Sequence, residues 1–349
     1  MSRPAPHGED LPLSVLDLVP VPSGTAESEA LHRTIDLARE AERLGFSRYW
    51  IAEHHSTAGL ASAAPEVLIG QVAGATSALR VGAGGVMLPN HAPLRVAETF
   101  RSLEALFPGR IDLGLGRAPG ADPVTAFALR RSQGGFGGED FTGQIAELLA
   151  YARDGFPDDH PFRHVRAVPS DRPLPPLWIL GTGYDSAELA AALGVGYAFA
   201  RHLGPKRAAR ALDLYRERFE PSPTLSEPRT ILAASVVCAP TRQRAEELAA
   251  SLGLWVVRAR QGRASDLPTP EEALAYDYDD REAHQLERYR RAQVVGDPDA
   301  VRDELASIMR ETGADELMVT TSVHDHAERV RSYELLAGAL RSAPAMPAA

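Results

Sequence analysis

The stretch Arg48–Leu60 reads RYWIAEHHSTAGL. Tyr49, Trp50, Ile51 and Ala52 form a short apolar run, the pattern of a strand buried on both faces. The run breaks off on an acid and two imidazoles, Glu53, His54 and His55. Upstream, ESEALHRTIDLAREAERLGF sets Leu31, Ile35, Ala38, Ala41 and Leu44 at helical spacing, and LSVLDLVPV (Leu13–Val21) before it reads as a strand. Downstream, Pro65 opens PEVLIGQVAGATSA, a helix with proline in its first turn. The alternation continues through LRVGAGGVMLP with PLRVAETFRSLEALF, RIDLGLGRA with FTGQIAELLAYAR, and PPLWILGTG with SAELAAALG. It goes on through GYAFARHL with KRAARALDLYRERF and RTILAASVVCA with RQRAEELAASLG. Helix DAVRDELASIMRETG, strand DELMVTTSV and a last helix from about His326 complete it. Eight strands, each followed by a helix, predict an α/β fold whose parallel sheet closes into a (β/α)8 TIM barrel. The expectation is one domain over residues 1–349, with the barrel spanning about 12–341. Two segments fall outside the repeat and read as insertion loops at the C-terminal face: 118–139, rich in Gly, Pro and Ala, and 254–291, which is polar.

Composition excludes several classes of function. The 349 residues are 44% hydrophobic and 24% charged, with a net charge of −10. An acidic chain without a Lys/Arg run repels phosphate backbones, which argues against nucleic acid as a partner. Cys238 is the single cysteine, so neither an internal disulfide nor a cysteine-cluster metal site is available. No apolar stretch approaches the roughly 20 residues of a membrane span, and the N-terminus has no apolar h-region. The expectation is a cytoplasmic protein.

A barrel of this type carries its active site at the C-terminal ends of the strands. The second strand ends there in Glu53-His54-His55, the third in GAGGVMLPNH, the fourth in GLGRAPG, the fifth in GTGYDSA, the sixth in FARHL and the eighth in TTSVHDH. Adjacent residues of a strand point to opposite faces, so His54 and His55 cannot share one metal ion without distortion. His324 and His326 could share a face but have no evident carboxylate partner, and no metal site is expected. His54 is the candidate catalytic imidazole. Glu53 and His55 read equally well as structural, each fixing the other's orientation.

At the fifth strand, GTGYDSAELAAALG holds Gly181, Gly183 and Ser186 in the register of a G-x-G-x-x-[GA] motif. A dinucleotide fold wants an acid about 20 residues on, and Arg201 and His202 occupy that place. The simpler reading is an anion site: Gly183 lets backbone approach, the N–H groups of Tyr184, Asp185 and Ser186 open a helix, and the Ser186 hydroxyl adds a donor. An ordinary N-cap by Asp185 or Ser186 is the alternative. Arg117 could serve the same anion from the neighbouring strand. Glycines 82, 84 and 85 lie inside a strand, where glycine marks either close approach by a ligand, such as a flat ring, or a bulge or tight packing.

These residues carry a resemblance over nearly the whole chain. EAERLGFSRYWIAEHH, VGAGGVMLPNHAPLRVAETF, FPGRIDLGLGRAPGADP, LGTGYDSAELAAALG and VVGDPDAV resemble the bacterial luciferase-like flavin monooxygenases, most nearly their single-chain branch. The resemblance implies a TIM barrel that binds reduced FMN as a cosubstrate. By position it implies a catalytic role for His54 and FMN contacts from Glu53, Gly84, Gly85, Arg117, Gly183, Tyr184 and Ser186. Arg117 and Ser186 would meet the phosphate, and the Gly84–Gly85 bond matches a peptide that is cis in luciferase, beneath the isoalloxazine ring. The implied chemistry is O₂ activation through a C4a-(hydro)peroxyflavin and transfer of one oxygen atom to a small organic substrate. Hydride transfer with the deazaflavin F420, or flavin binding without turnover, are the alternatives within the fold. The implied partners are that substrate and a separate NAD(P)H:flavin reductase, and a homodimer is compatible with the family. Gly116 stands where luciferase has a reactive cysteine, which argues against light emission. The 254–291 segment matches a mobile loop of the family by position.

Overall fold

The computed structural model describes residues 11–118, 120–130, 140–153 and 155–341. The strands are β1 (Leu13–Asp17), β2 (Arg48–Ile51), β3 (Arg80–Met87), β4 (Ile111–Gly116), β5 (Leu177–Gly181), β6 (Gly196–Ala200), β7 (Thr230–Cys238), β8 (Gln293–Gly296) and β9 (Glu316–Thr320). The helices are α1 (Glu27–Arg43), α2 (Pro65–Ala75), α3 (Pro93–Leu106), α4 (Pro123–Arg130), α5 (Phe141–Arg153) and α6 (Tyr184–Leu193). They continue with α7 (Ala208–Arg218), α8 (Arg242–Arg260), α9 (Pro270–Ala275), α10 (Asp280–Arg290), α11 (Pro298–Thr312) and α12 (His326–Arg341).

All strand pairings are parallel. They run β1 through β7 in sequence order, and β9 joins β7 to β1, which closes an eight-stranded barrel. β8 is a ninth strand outside that ring. It takes the edge of β7 left open where β6 ends: β6 pairs as far as Ala200 with Ala233, and β8 takes over from Ser235 with Gln293.

Alternation along each strand sorts the two faces. Val15, Tyr49, Val81, Leu113, Ile179, Leu232 and Val319 turn outward into the core shared with the helices. The barrel interior is layered. At the N-terminal end Arg48 bridges Asp112 and Glu316, both at 2.7 Å, and Arg80 reaches Asp112 at 2.6 Å. Above that ionic layer lie Leu16, Trp50, Trp178, Ala198, Ile231 and Met318. The Trp50 and Trp178 rings meet edge to face at 5.7 Å, a contact that contributes about 1 kcal/mol beyond burial.

The strand glycines are explained by this packing. A Cβ on Gly84 would stand 2.7 Å from Leu16 Cδ1 and 3.0 Å from Trp50 Cβ, and one on Gly82 would stand 2.5 Å from the Asp112 carbonyl. A Cβ on Gly85 would strike the Gly114 carbonyl at 2.7 Å. The Gly84–Gly85 bond is cis, and the β3–β4 register shifts between Ala83 and Val86. Close packing with a bulge accounts for the lack of side chains at these positions.

The expectation of a loop over 254–291 is corrected. Residues to Arg260 continue α8, and α9 and α10 follow. Thr269 caps α9, and Asp279 with Glu282 forms a reciprocal capping box on α10. Those caps satisfy the exposed backbone donors that a polar sequence cannot bury. Of the 118–139 segment, α4 is helical and 131–139 lie outside the described residues. Among the described residues no helix is long and apolar enough to cross a membrane.

Candidate active site

Trp50 and Ala52 belong to the interior cluster, whereas Tyr49 and Ile51 face the helices. His54 extends the inward row and Glu53 and His55 the outward one. The His54 backbone N–H donates to the Ser62 carbonyl at 3.0 Å, and its Nδ1 lies 3.3 Å from Ser62 Oγ. Ser62 is fully buried, in a loop tied down by Ala61 N–H to the Val19 carbonyl at 2.9 Å. Burial pushes the His54 pKa down to about 4; the Glu53 charge opposes this and His55 adds to it. At neutral pH the ring is therefore uncharged, with one nitrogen accepting and one donating.

Glu53 is 1% exposed, and its carboxylate is engaged within the protein. Oε1 accepts from His55 Nε2 at 2.7 Å and from His91 Nε2 at 2.8 Å, and Oε2 accepts from the Met87 N–H at 2.8 Å. The structure thus places Glu53 as the brace between the ends of β2 and β3. This agrees with the structural alternative for its side chain, in which Glu53 and His55 fix each other's orientation. Glu53, His55 and His91 bring three potential metal-ligand atoms within 4.8 Å of one another, but those atoms already bond one another through protons. His91 escaped the sequence reading because a lone histidine after a proline-rich turn carries no spacing signal.

The cluster has a pH signature. Burial raises the Glu53 pKa, but bonds from His91, His55 and Met87 outweigh it and hold the carboxyl below its usual 4.5. Burial lowers the His91 pKa, but the Glu53 bond and charge outweigh it and lift the imidazole above its usual 6.5. The Glu53 contribution is present above pH 4.5 and lost as pH falls through its folded value; the His91 contribution is present below pH 6.5 and lost as pH rises through its own. Glu53→Gln should cost about 2 kcal/mol, the worth of a buried charged hydrogen bond. The melting-temperature gap to wild type should be widest between pH 4.5 and 6.5 and narrow on both sides. A gap independent of pH would show that the charge does not matter.

At the end of β5, Gly183 is the N-cap of α6, with no side chain capping the helix. A Cβ on Gly183 would meet nothing within 4 Å, so the space beside its backbone is open. The N–H groups of Tyr184, Asp185 and Ser186 form the first turn, where a helix favours an anion. The Ser186 hydroxyl is not presented there. It donates to the Gly183 carbonyl at 2.8 Å and lies 3.1 Å from Tyr197 Oη, so it does not cap the helix. Arg117 follows β4, the neighbour of β5 in the barrel, and is exposed. It makes no hydrogen bond or ion pair among the described residues, so its charge is available. An open backbone, an uncapped helix and an available guanidinium at adjacent strand ends fit one phosphate group. Gly116 lies against Met87: a Cβ there would stand 2.8 Å from its sulfur.

Comparison with known proteins gives this site its family. The sequence model of the luciferase-like monooxygenase family matches residues 12–316, and the chain belongs to that family. A luciferase-like monooxygenase of Escherichia coli K12 is 44% identical over 322 residues, covering 92% of this chain and 95% of that one. The N-acetyl-S-alkylcysteine monooxygenase of Bacillus subtilis is 33% identical over 336 residues, covering 95% and 98%. Among solved structures, apo-MsnO8 superposes with a TM-score of 0.86 at 39% identity, covering 96% of this chain and 99% of its own. More distant structures share the fold. One is the oxygenating constituent of 3,6-diketocamphane monooxygenase from Pseudomonas putida, in complex with FMN, at 19% identity and a TM-score of 0.71. Another is an F420-dependent secondary alcohol dehydrogenase, at 17% and 0.68.

Proposed function

We propose that this protein uses reduced FMN and O₂ to oxygenate a small organic substrate. The observation that carries the reading is the uncapped, open N-terminus of α6 beside the available charge of Arg117, at the barrel mouth where His54 stands uncharged. The first-turn N–H groups of α6, with Gly183 and Tyr184, and the Arg117 guanidinium would hold the phosphate, and the Gly84–Gly85 backbone would support the ring. Bound reduced FMN supplies the two electrons that activate O₂, so that one oxygen atom enters the substrate and the other leaves as water. His54 holds or moves a proton through Nε2, because its Nδ1 is turned to Ser62. The tryptophan layer beneath closes the barrel to water. The printed activity of the Bacillus subtilis relative and the FMN of the Pseudomonas putida neighbour support this reading, and the F420-dependent neighbour defines its rival.

The decisive experiment supplies reduced FMN under ¹⁸O₂ with a panel of candidate substrates. One labelled oxygen in the product supports the proposal; hydride transfer from reduced F420 without label overturns it. A binding test addresses the phosphate seat. Arg117→Ala should weaken FMN binding tenfold or more, as loss of a charge-assisted bond to phosphate implies, while riboflavin, which lacks the phosphate, should bind as before. Equal loss for both ligands in fluorescence titrations would remove Arg117 from that role.

A further inference from the structure

Three buried polar side chains stand in one row across the C-terminal rim. Ser235 of β7 is paired with Thr320 of β9 on one edge and with Gln293 of β8 on the other. Directly paired residues of parallel strands project to the same side. Gln293 Nε2 accordingly donates to Ser235 Oγ at 3.3 Å, and the Tyr289 phenol bonds the same hydroxyl. The row faces the barrel interior. Ile231 and Ala233 precede Ser235 with the same parity and lie in the interior cluster, as does Met318, two residues before Thr320.

Ser235, Gln293 and Thr320 are 3%, 5% and 4% exposed. Yet Gln293 Oε1 and Thr320 Oγ1 have no hydrogen-bond partner among the described residues, nor has Ser322 Oγ, two residues further on. Orphaned buried polar atoms cost stability, and three at one rim call for a ligand or ordered water to complete them. No ionised side chain belongs to the row. The guanidinium of Arg201, at the end of β6, is turned to the Ala292 carbonyl at 3.2 Å. The orphaned atoms themselves are uncharged, an amide oxygen that accepts and a hydroxyl that can donate, so an uncharged donor–acceptor group completes both.

Spacing narrows the chemistry. Strands lie about 4.8 Å apart, so Gln293 and Thr320 flank Ser235 at about 10 Å across the backbone. One hydroxyl with a hydrogen bond on each side spans only about 6 Å. An amide, with its N and O about 2.3 Å apart and a bond on each side, spans about 8 Å, which the side chains can close.

We propose that the Gln293–Ser235–Thr320 row is the polar anchor of the substrate and takes an uncharged amide. The amide N–H is donated to Gln293 Oε1, and its carbonyl accepts from the Thr320 hydroxyl. This deepens the monooxygenase reading above and rests on it for the identity of the ligand as substrate.

The test is calorimetric, with N-hexylacetamide as probe and the near-isosteric hexyl acetate, which has no N–H, as control, with and without FMN. The amide should bind roughly tenfold more tightly than the ester. Gln293→Leu should bring the amide down to the level of the ester and leave ester binding unchanged, since only the amide has an N–H to give. Thr320→Val should weaken both ligands, which share the carbonyl, and should melt no lower than wild type, since it removes an orphaned hydroxyl. Equal affinity for amide and ester, or binding of neither at millimolar concentration, overturns the anchor. So does a lowered melting temperature of Thr320→Val with the affinity for both ligands unchanged, which would mark the row as a seat for ordered water. The calorimetry needs no turnover. An amide preference with no oxygen uptake from reduced FMN would sink the monooxygenase reading and keep the anchor, and uptake without the preference would do the reverse.

Discussion

His54→Ala should leave the barrel folded and cut turnover by roughly 10²–10⁴, the range for a positioned acid–base group. The fold should survive because the backbone N–H of residue 54 keeps its bond to the Ser62 carbonyl and the ring supports no other element. Turnover should fall because the other described imidazoles at nearby strand ends are engaged elsewhere: His55 and His91 with Glu53, His202 with the Ala233 carbonyl and His324 with Ser23. The pH profile gives an independent check. With burial holding its pKa at about 4, the free protein keeps His54 uncharged through the whole neutral range. The acid limb of kcat/KM assigned to it should therefore fall near pH 4. The same depression means that the unfolded chain takes up this proton first, so stability is lost as pH falls from the ordinary value of 6.5 toward 4 and is unaffected above 6.5. An alanine variant with unchanged turnover, or an acid limb at 6.5 that the substitution does not move, would remove His54 from the mechanism.

The barrel could be read from the sequence because its signal is repetitive. Each strand is a short apolar run that ends on glycine or a polar residue, each helix carries its own period, and no one boundary decides the count. β8 was illegible for the opposite reason. Its four residues, QVVG, follow a helix polar on nearly all sides, and only the open edge of β7 makes them a strand. α10 did carry a signal, the D-x-x-E of Asp279 and Glu282, which the polarity of the segment masked. At the site, alternation from the apolar run placed His54 inward and separated it from His55. What alternation cannot supply is long-range contact. The bond from His91 to Glu53 spans 38 residues, and the row through Gln293, Ser235 and Thr320 joins three strands far apart in the chain. The glycines of β3 show the converse. Their pattern was visible, but whether a ligand or a neighbour filled the space depended on where Trp50, Leu16 and Gly114 lie.

The protein should show almost no NAD(P)H oxidation of its own, even with FMN present, and should become active when an unrelated flavin reductase is added. In the proposed site the first turn of α6 and the Arg117 guanidinium would make one seat, enough for the single phosphate of FMN. A nicotinamide dinucleotide brings a pyrophosphate and a ribose that wants an acid at the end of the next strand. That strand is β6, and the residues directly after it are Arg201 and His202, whose side chains are turned to the carbonyls of Ala292 and Ala233. A basic residue and a buried imidazole reject the role an acid would fill. On the proposed function, reduced FMN would arrive by diffusion from another enzyme, and with no docking between the two proteins the source of the reductase should not matter. The purified chain should be nearly colourless, holding the oxidised form weakly. The measurement is NADH consumption by the chain with FMN, followed by oxygen uptake once reductase is supplied. Oxidation of NAD(P)H by the chain alone at about 1 s⁻¹ or faster, a rate typical of working enzymes, would make it a self-sufficient flavin reductase instead.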